Sequence, residues 1–149
     1  MSMQPPAEVP LEGFTQQLGR HAWFLIHTTA KGVACDADLA NFKTFVHALL
    51  ACYPCARCRK GVATHCAALI HALGALSLGD LTPGRPANYS AAVWAAKLHA
   101  CVTVHVDQQQ REQAQKGAWV SRTSVALARA VQSCADDASV YQLVEALNR

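Results

Sequence analysis

Tyr53-Pro54-Cys55-Ala56-Arg57-Cys58 is the stretch on which the reading of this chain turns. It follows Leu39, Phe42, Phe45, Val46, Leu49 and Leu50, which recur at helical spacing. A residue before proline is pushed out of the helical region, so Tyr53 should close one helix. Proline suits the first position of a helix, where its missing N–H costs nothing, so Pro54 should open the next. The result is an elbow between two helices. On the second of them Cys55 and Cys58 fall one turn apart on one face, close enough to form a disulfide. The positive end of that helix and the cations Arg57, Arg59 and Lys60 favour thiolate over thiol. The motif therefore reads as a redox-active dithiol.

Three other readings of the same cysteines stand beside it. Cys52, Cys55, Cys58 and Cys66 space as C-x2-C-x2-C-x7-C, with His65 a further possible ligand, which suggests a metal or iron-sulfur module. The last spacing does not fit, and the Tyr53-Pro54 step should turn Cys52 away. A thioredoxin-like motif needs a preceding strand, and no strand pattern is found here. Buried free cysteines, behaving as small apolar side chains, are the third reading in a chain with 7 Cys.

The 149 residues are enough for one compact domain with a proper core. Hydrophobic residues make up 52% and charged residues 15%, which excludes a disordered chain. The net charge of +3 is mild and the 13 Lys and Arg are scattered rather than gathered on one face, so nucleic acid is not an expected partner. No apolar run approaches the roughly 18 residues of a membrane helix. Met1 to Pro10 has neither the basic nor the apolar region of a secretory signal, so seven cysteines point to thiol chemistry rather than to an extracellular scaffold.

Taken in order, residues 1–10 carry three prolines and should form a flexible arm. A helix is expected from Leu11 to Lys31, with Leu11, Phe14, Leu18, Ala22, Leu25, Ile26 and Thr29 on its apolar face and Arg20, Trp23 and His27 on a second face. Asp36 or Asp38 should cap the next helix, which ends at Tyr53; a third should run from Pro54 to about Leu73. Gly74 to Ala87 is a loop. Ser90 should cap a fourth helix reaching to about Val106, followed by a polar, glutamine-rich stretch from Asp107 to Gly117 that is either the exposed end of that helix or a linker. Helical patterns over Ser121–Cys134 and Asp137–Asn148 complete an all-α chain. The expected organisation is an arm, a main domain over 11–106 and a helical extension over 107–149 packed on it.

Three segments, in order and on successive expected helices, resemble the Erv/ALR family of FAD-dependent sulfhydryl oxidases: Gln17 to Thr28 (QLGRHAWFLIHT), Phe45-Val46-His47 running into Tyr53 to Cys58, and Trp94 to Thr103 (WAAKLHACVT). The likeness covers roughly Leu11 to Val106. It implies a four-helix bundle with short additional C-terminal helices, holding FAD beside Cys55 and Cys58. Gly19, Arg20, Trp23 and His27 would line the flavin from the first helix, Tyr53 would pack beside it, and His99, Val102 and Thr103 would hold it from the fourth. The implied activity is oxidation of thiol-containing protein substrates, with oxygen as acceptor and hydrogen peroxide as product. A homodimer packed through the first two helices is implied as well, in the host cytoplasm or virion for a compact viral member, or in the mitochondrial intermembrane space.

The likeness has departures. Thr103 stands where the family's HxxVN motif has asparagine, and Ala96 stands where many members place a structural cysteine. Val104 to Gln110 replaces a basic stretch, and the last thirty or so residues have no counterpart. Trp23 and Trp94 are also readable as core, Trp94 equally so. His47, His65, His71 and His105 receive no role. Cys35, Cys66, Cys101 and Cys134 form no second CxxC, so substrates should reach Cys55 directly.

Overall fold

The computed structural model describes residues 11–112 and 120–148. The arm expected over 1–10, and the end of the glutamine-rich stretch, lie outside the described residues. The order is α1 (Leu11–Lys31), α2 (Asp36–Cys52), α3 (Ala56–His65), α4 (Ala67–Leu73), α5 (Tyr89–Glu112), α6 (Arg122–Ser133) and α7 (Asp137–Leu147). No strand occurs among the described residues, so the chain is all-α as its periodicity requires. No described helix is long and apolar enough to cross a membrane.

Helix α5 is the axis of the molecule. Tyr89 and every residue from Ala91 to Ala96 are buried, as are Leu98, Ala100 and Thr103. A helix buried on nearly all sides must be covered by neighbours on each, and α5 packs against α1, α3, α4, α6 and α7. On one side Ile26, Ala30, Leu39, Phe42, Val46 and Leu73 close the main core with Trp94 and Leu98. Phe42 meets Trp94 edge to face at 5.9 Å, and the Trp94 indole N–H donates to the Leu69 carbonyl at 2.7 Å. Trp94 is thus a core residue, the plainer of its two readings. On the other side Tyr89, Val93 and Ala96 pack with Val140 of α7.

Several helix ends differ from expectation. Cys35, not Asp36 or Asp38, occupies the N-cap of α2; the Asp38 carboxylate instead accepts the Ala34 N–H at 3.0 Å and ties down the turn before it. Ser90 lies inside α5, which starts at Tyr89. The α6 cap is Ser121, accepting from the Ser124 N–H, and the α7 cap is Asp136, one residue before the expected Asp137. The third expected helix is two, divided at Cys66.

Leu25 of the expected apolar face of α1 is half exposed, next to the exposed Phe24. Helix α5 runs on through Val106 and Asp107 to Glu112, and Asp107 is buried rather than solvated. Its carboxylate lies 3.2 Å from Arg111 and 4.0 Å from both Arg122 and Arg129, so a buried charge is matched by cations from its own helix and from α6. The loop after α4 is held by Lys43, whose ammonium donates to the Gly74 and Leu76 carbonyls. At Gly79 a Cβ would stand 1.8 Å from the Pro86 carbonyl oxygen, so only glycine fits there.

Phe42 has no exposed surface and joins α2 to the axis. Phe42→Ala should lower unfolding stability by about 3–5 kcal/mol, read from the urea midpoint at unchanged m-value.

Candidate active site

Tyr53 ends α2 in an extended conformation, as the following proline demands. Pro54 does not take the first helical position: α3 begins at Ala56, and Cys55 is its N-cap. A sulfur can accept here as a capping hydroxyl does, and the Cys55 Sγ accepts the Cys58 N–H at 3.1 Å. Cys55 and Cys58 are joined in a disulfide, with their Cα atoms 5.2 Å apart. The Arg59 guanidinium donates back to the Tyr53 carbonyl and braces the elbow. Cys55 therefore sits where the helix dipole and a backbone N–H would both stabilise its thiolate after reduction.

The remaining cysteines do not join this pair. Cys52 is exposed, and the Cys66 Sγ lies against that of Cys101 at 2.9 Å. Among the described residues no group of three or more His, Cys, Asp or Glu side chains could hold a metal. The set Cys52, Cys55, Cys58 and Cys66 is not gathered into one site.

A pair of histidines on two helices, His27 of α1 and His99 of α5, meets beside this elbow, and His99 shares a cleft with the disulfide. Trp23 and His27 are one turn apart on α1, and His99 of α5 comes between them. The Trp23 and His99 rings stack at 4.2 Å with planes 15° apart, and His27 Nε2 shares a hydrogen bond with His99 Nδ1 at 2.9 Å. One nitrogen must donate and the other accept, which requires at least one neutral ring. Burial lowers the pKa of His27, and burial together with the nearby His27 lowers His99 to about 4. Both rings are neutral at pH 7.

A cleft of about 410 Å³ runs between these elements, within the roughly 300–1,000 Å³ of small-ligand sites. Cys55 and Cys58 form part of its wall, with Gly19, Arg20, Trp23, Tyr53, His99, Val102 and Thr103. His27 does not reach it; it lines a neighbouring hollow and acts on the cleft through His99. Arg20, Arg57 and Arg59 line the cleft, and among the described residues no Asp or Glu does. Flat aromatic surface, apolar walls and unopposed guanidinium groups suit a planar, anionic ligand. Gly19 lines the cleft beside Tyr53, and a Cβ there would make only an ordinary contact, 3.9 Å from the Tyr53 hydroxyl.

Other lining residues had no sequence signal. His105 stacks on His65 at 3.6 Å, and its Nε2 is buried with no hydrogen-bond partner among the described residues. Ser121 and Ser124 reach the cleft only because α6 docks on α5. His105 lies two turns of α5 beyond Leu98 on a face that periodicity marks as simply half-buried, so nothing local distinguished it.

The histidine pair has a consequence for pH. Its folded pKa values lie below the unfolded value, so stability is fully present above about pH 6.5 and is lost as pH falls toward 4. Between pH 7 and pH 5, His99 should account for a fall of about 2 kcal/mol, and His99→Gln should flatten the pH dependence of the denaturation midpoint in that range. No family model, no curated protein and no solved structure matches this chain, so the chemistry of the cleft itself carries its interpretation.

Proposed function

We propose that this protein is an FAD-dependent sulfhydryl oxidase, forming disulfides in substrate proteins through Cys55 and Cys58 with oxygen as final acceptor. The observation that carries this reading is the placement of the Cys55–Cys58 disulfide in the wall of a cleft that stacks Trp23 on His99 and gathers three arginines, with no carboxylate among the described residues that line it. The sequence likeness stated above supports it, and α1, α2, α3 and α5 are read as its four-helix bundle.

The residues present suit the cofactor. Trp23 and His99 offer a flat surface for a planar ring, with His27 fixing the His99 ring from behind. Arg20, Arg57 and Arg59 offer charge for a diphosphate. Thr103, where the family has an amide, offers a hydroxyl, and His105 Nε2, without a partner among the described residues, offers a further hydrogen bond. Gly19, Tyr53 and Val102 shape the walls. Bound there, FAD would take an electron pair from the dithiol and pass it to oxygen, giving hydrogen peroxide.

The chain's own part is thiol-disulfide exchange. A substrate thiolate attacks the Cys55 sulfur, forming a mixed disulfide and expelling Cys58 as thiolate. The substrate's second thiol then attacks its own sulfur in that bond and leaves oxidised, releasing Cys55. The disulfide is thereby reduced by two electrons, and one substrate disulfide is made. Cys55, held by the Cys58 N–H at the start of α3, stays in position to close the bond again. Arg57 is exposed beside it and attracts an incoming thiolate. Phe24 and Leu25, exposed on α1, are the apolar surface that the proposed homodimer would cover.

Wild-type protein with FAD should consume oxygen in the presence of dithiothreitol. Cys58→Ala should slow this by at least ~100-fold while retaining the bound flavin. Equal oxygen consumption by the variant and the wild type would overturn the reading.

A further inference from the structure

The break between α3 and α4 brings two sulfurs together that the proposed reaction does not use. Cys66 takes φ −114° and ψ 19° at the junction, is 3% exposed, and points to Cys101 on α5, 35 residues further on. Their Sγ atoms are 2.9 Å apart, inside the roughly 3.5–4.0 Å at which non-bonded heavy atoms settle. A movement of about 0.9 Å would bring them to bonding distance. The rest of the surroundings holds them there: the Cys101 thiol also donates to the His65 carbonyl, and both cysteines belong to the main core.

We propose that Cys66 and Cys101 close into a second disulfide that clamps the α3–α4 junction to α5. The oxidant is a low-molecular-weight disulfide. Cys101 is the more exposed of the two and attacks first: its thiolate displaces one thiolate of the oxidant and forms a mixed disulfide. Cys66 then gives up its proton, attacks the Cys101 sulfur and expels the second thiolate. Two protons and two electrons leave the pair, and the oxidant becomes two thiols.

The order follows from the environment of each sulfur. Burial, the hydrogen bond with Cys101 and the charge Cys101 can carry push the Cys66 thiol up to about 12. Cys66 is therefore a poor first nucleophile. Once Cys101 is in a mixed disulfide its charge is gone, and Cys66 becomes the resolving thiol. The clamp acts on the cleft directly, because Cys66 lines it together with Cys58, while Cys101 is two residues from His99. It fixes the helix that carries the redox pair to the helix that carries the histidine.

The test is a peptide map of the Cys55→Ala/Cys58→Ala protein, and of the wild type, after treatment with glutathione disulfide and alkylation of free thiols. Cleavage after Lys60, Lys97 and Arg111 places Cys66 and Cys101 on separate peptides, residues 61–97 and 98–111. The expected result is one linked species of these two peptides, restored to two by reductant and absent in Cys101→Ser. The melting temperature of the doubly substituted protein should rise by roughly 10 °C on oxidation. Recovery of both peptides alkylated, or of Cys101 carrying glutathione with Cys66 alkylated, overturns the proposal. Since the map needs neither flavin nor the Cys55–Cys58 pair, its failure leaves the oxidase reading standing, and loss of the oxidase reading leaves this one standing.

Discussion

Six consecutive residues of α5, Ala91 to Ala96, are buried, and nearly everything else in the structure follows from having to cover them. Four of the six are alanine, so neighbouring helices can come close on every side. Helix α1 takes one side, α3 and α4 another, and α6 and α7 a third. The cleft opens where α1, α3 and α5 meet, beyond the point where alanine gives way to His99, Val102 and Thr103. The rigid core on one side of α5 thus fixes the walls of the site at its other end. The histidine pair stays neutral because it is desolvated there, with the His99 ring stacked on Trp23.

The elbow at Tyr53 supplies the second constraint. A proline that cannot continue α2 forces the chain to turn, and the turn leaves Cys55 at the head of α3 with its sulfur toward the free N–H groups. Arg59 returning to the Tyr53 carbonyl holds that turn from inside. A dithiol on a flexible loop would lack this fixed relation to Trp23 and His99. In the proposed chemistry a cap matters as much as a motif.

Much of this was legible in the chain. The spacing of Leu39, Phe42 and Val46 marked α2 and its buried face, and Tyr53-Pro54 marked its end. Arg20, Trp23 and His27 were placed on one face by helical geometry alone, whereas Gly19 was singled out only by the family likeness; Gly19, Arg20 and Trp23 line the cleft and His27 does not. The rest depended on partners distant in sequence. Asp107 looks solvated beside glutamines and is buried because arginines from α6 reach it. Leu25 fits an apolar stripe, yet α1 is too lightly covered on that side to bury it. The meeting of Cys66 with Cys101 required a helix break at a residue that is neither glycine nor proline, which no local signal announces. Pro54 took a place before the helix because the cysteine after it could act as the cap.

The account rests on a flavin lying in the cleft beside the Cys55–Cys58 disulfide. The visible absorption spectrum of the purified protein tests this most directly. A yellow flavin spectrum that bleaches anaerobically when dithiothreitol is added, and returns when air is admitted, is the predicted result. A protein that stays colourless after incubation with FAD and desalting, or one with the brown spectrum of an iron-sulfur cluster, would contradict it.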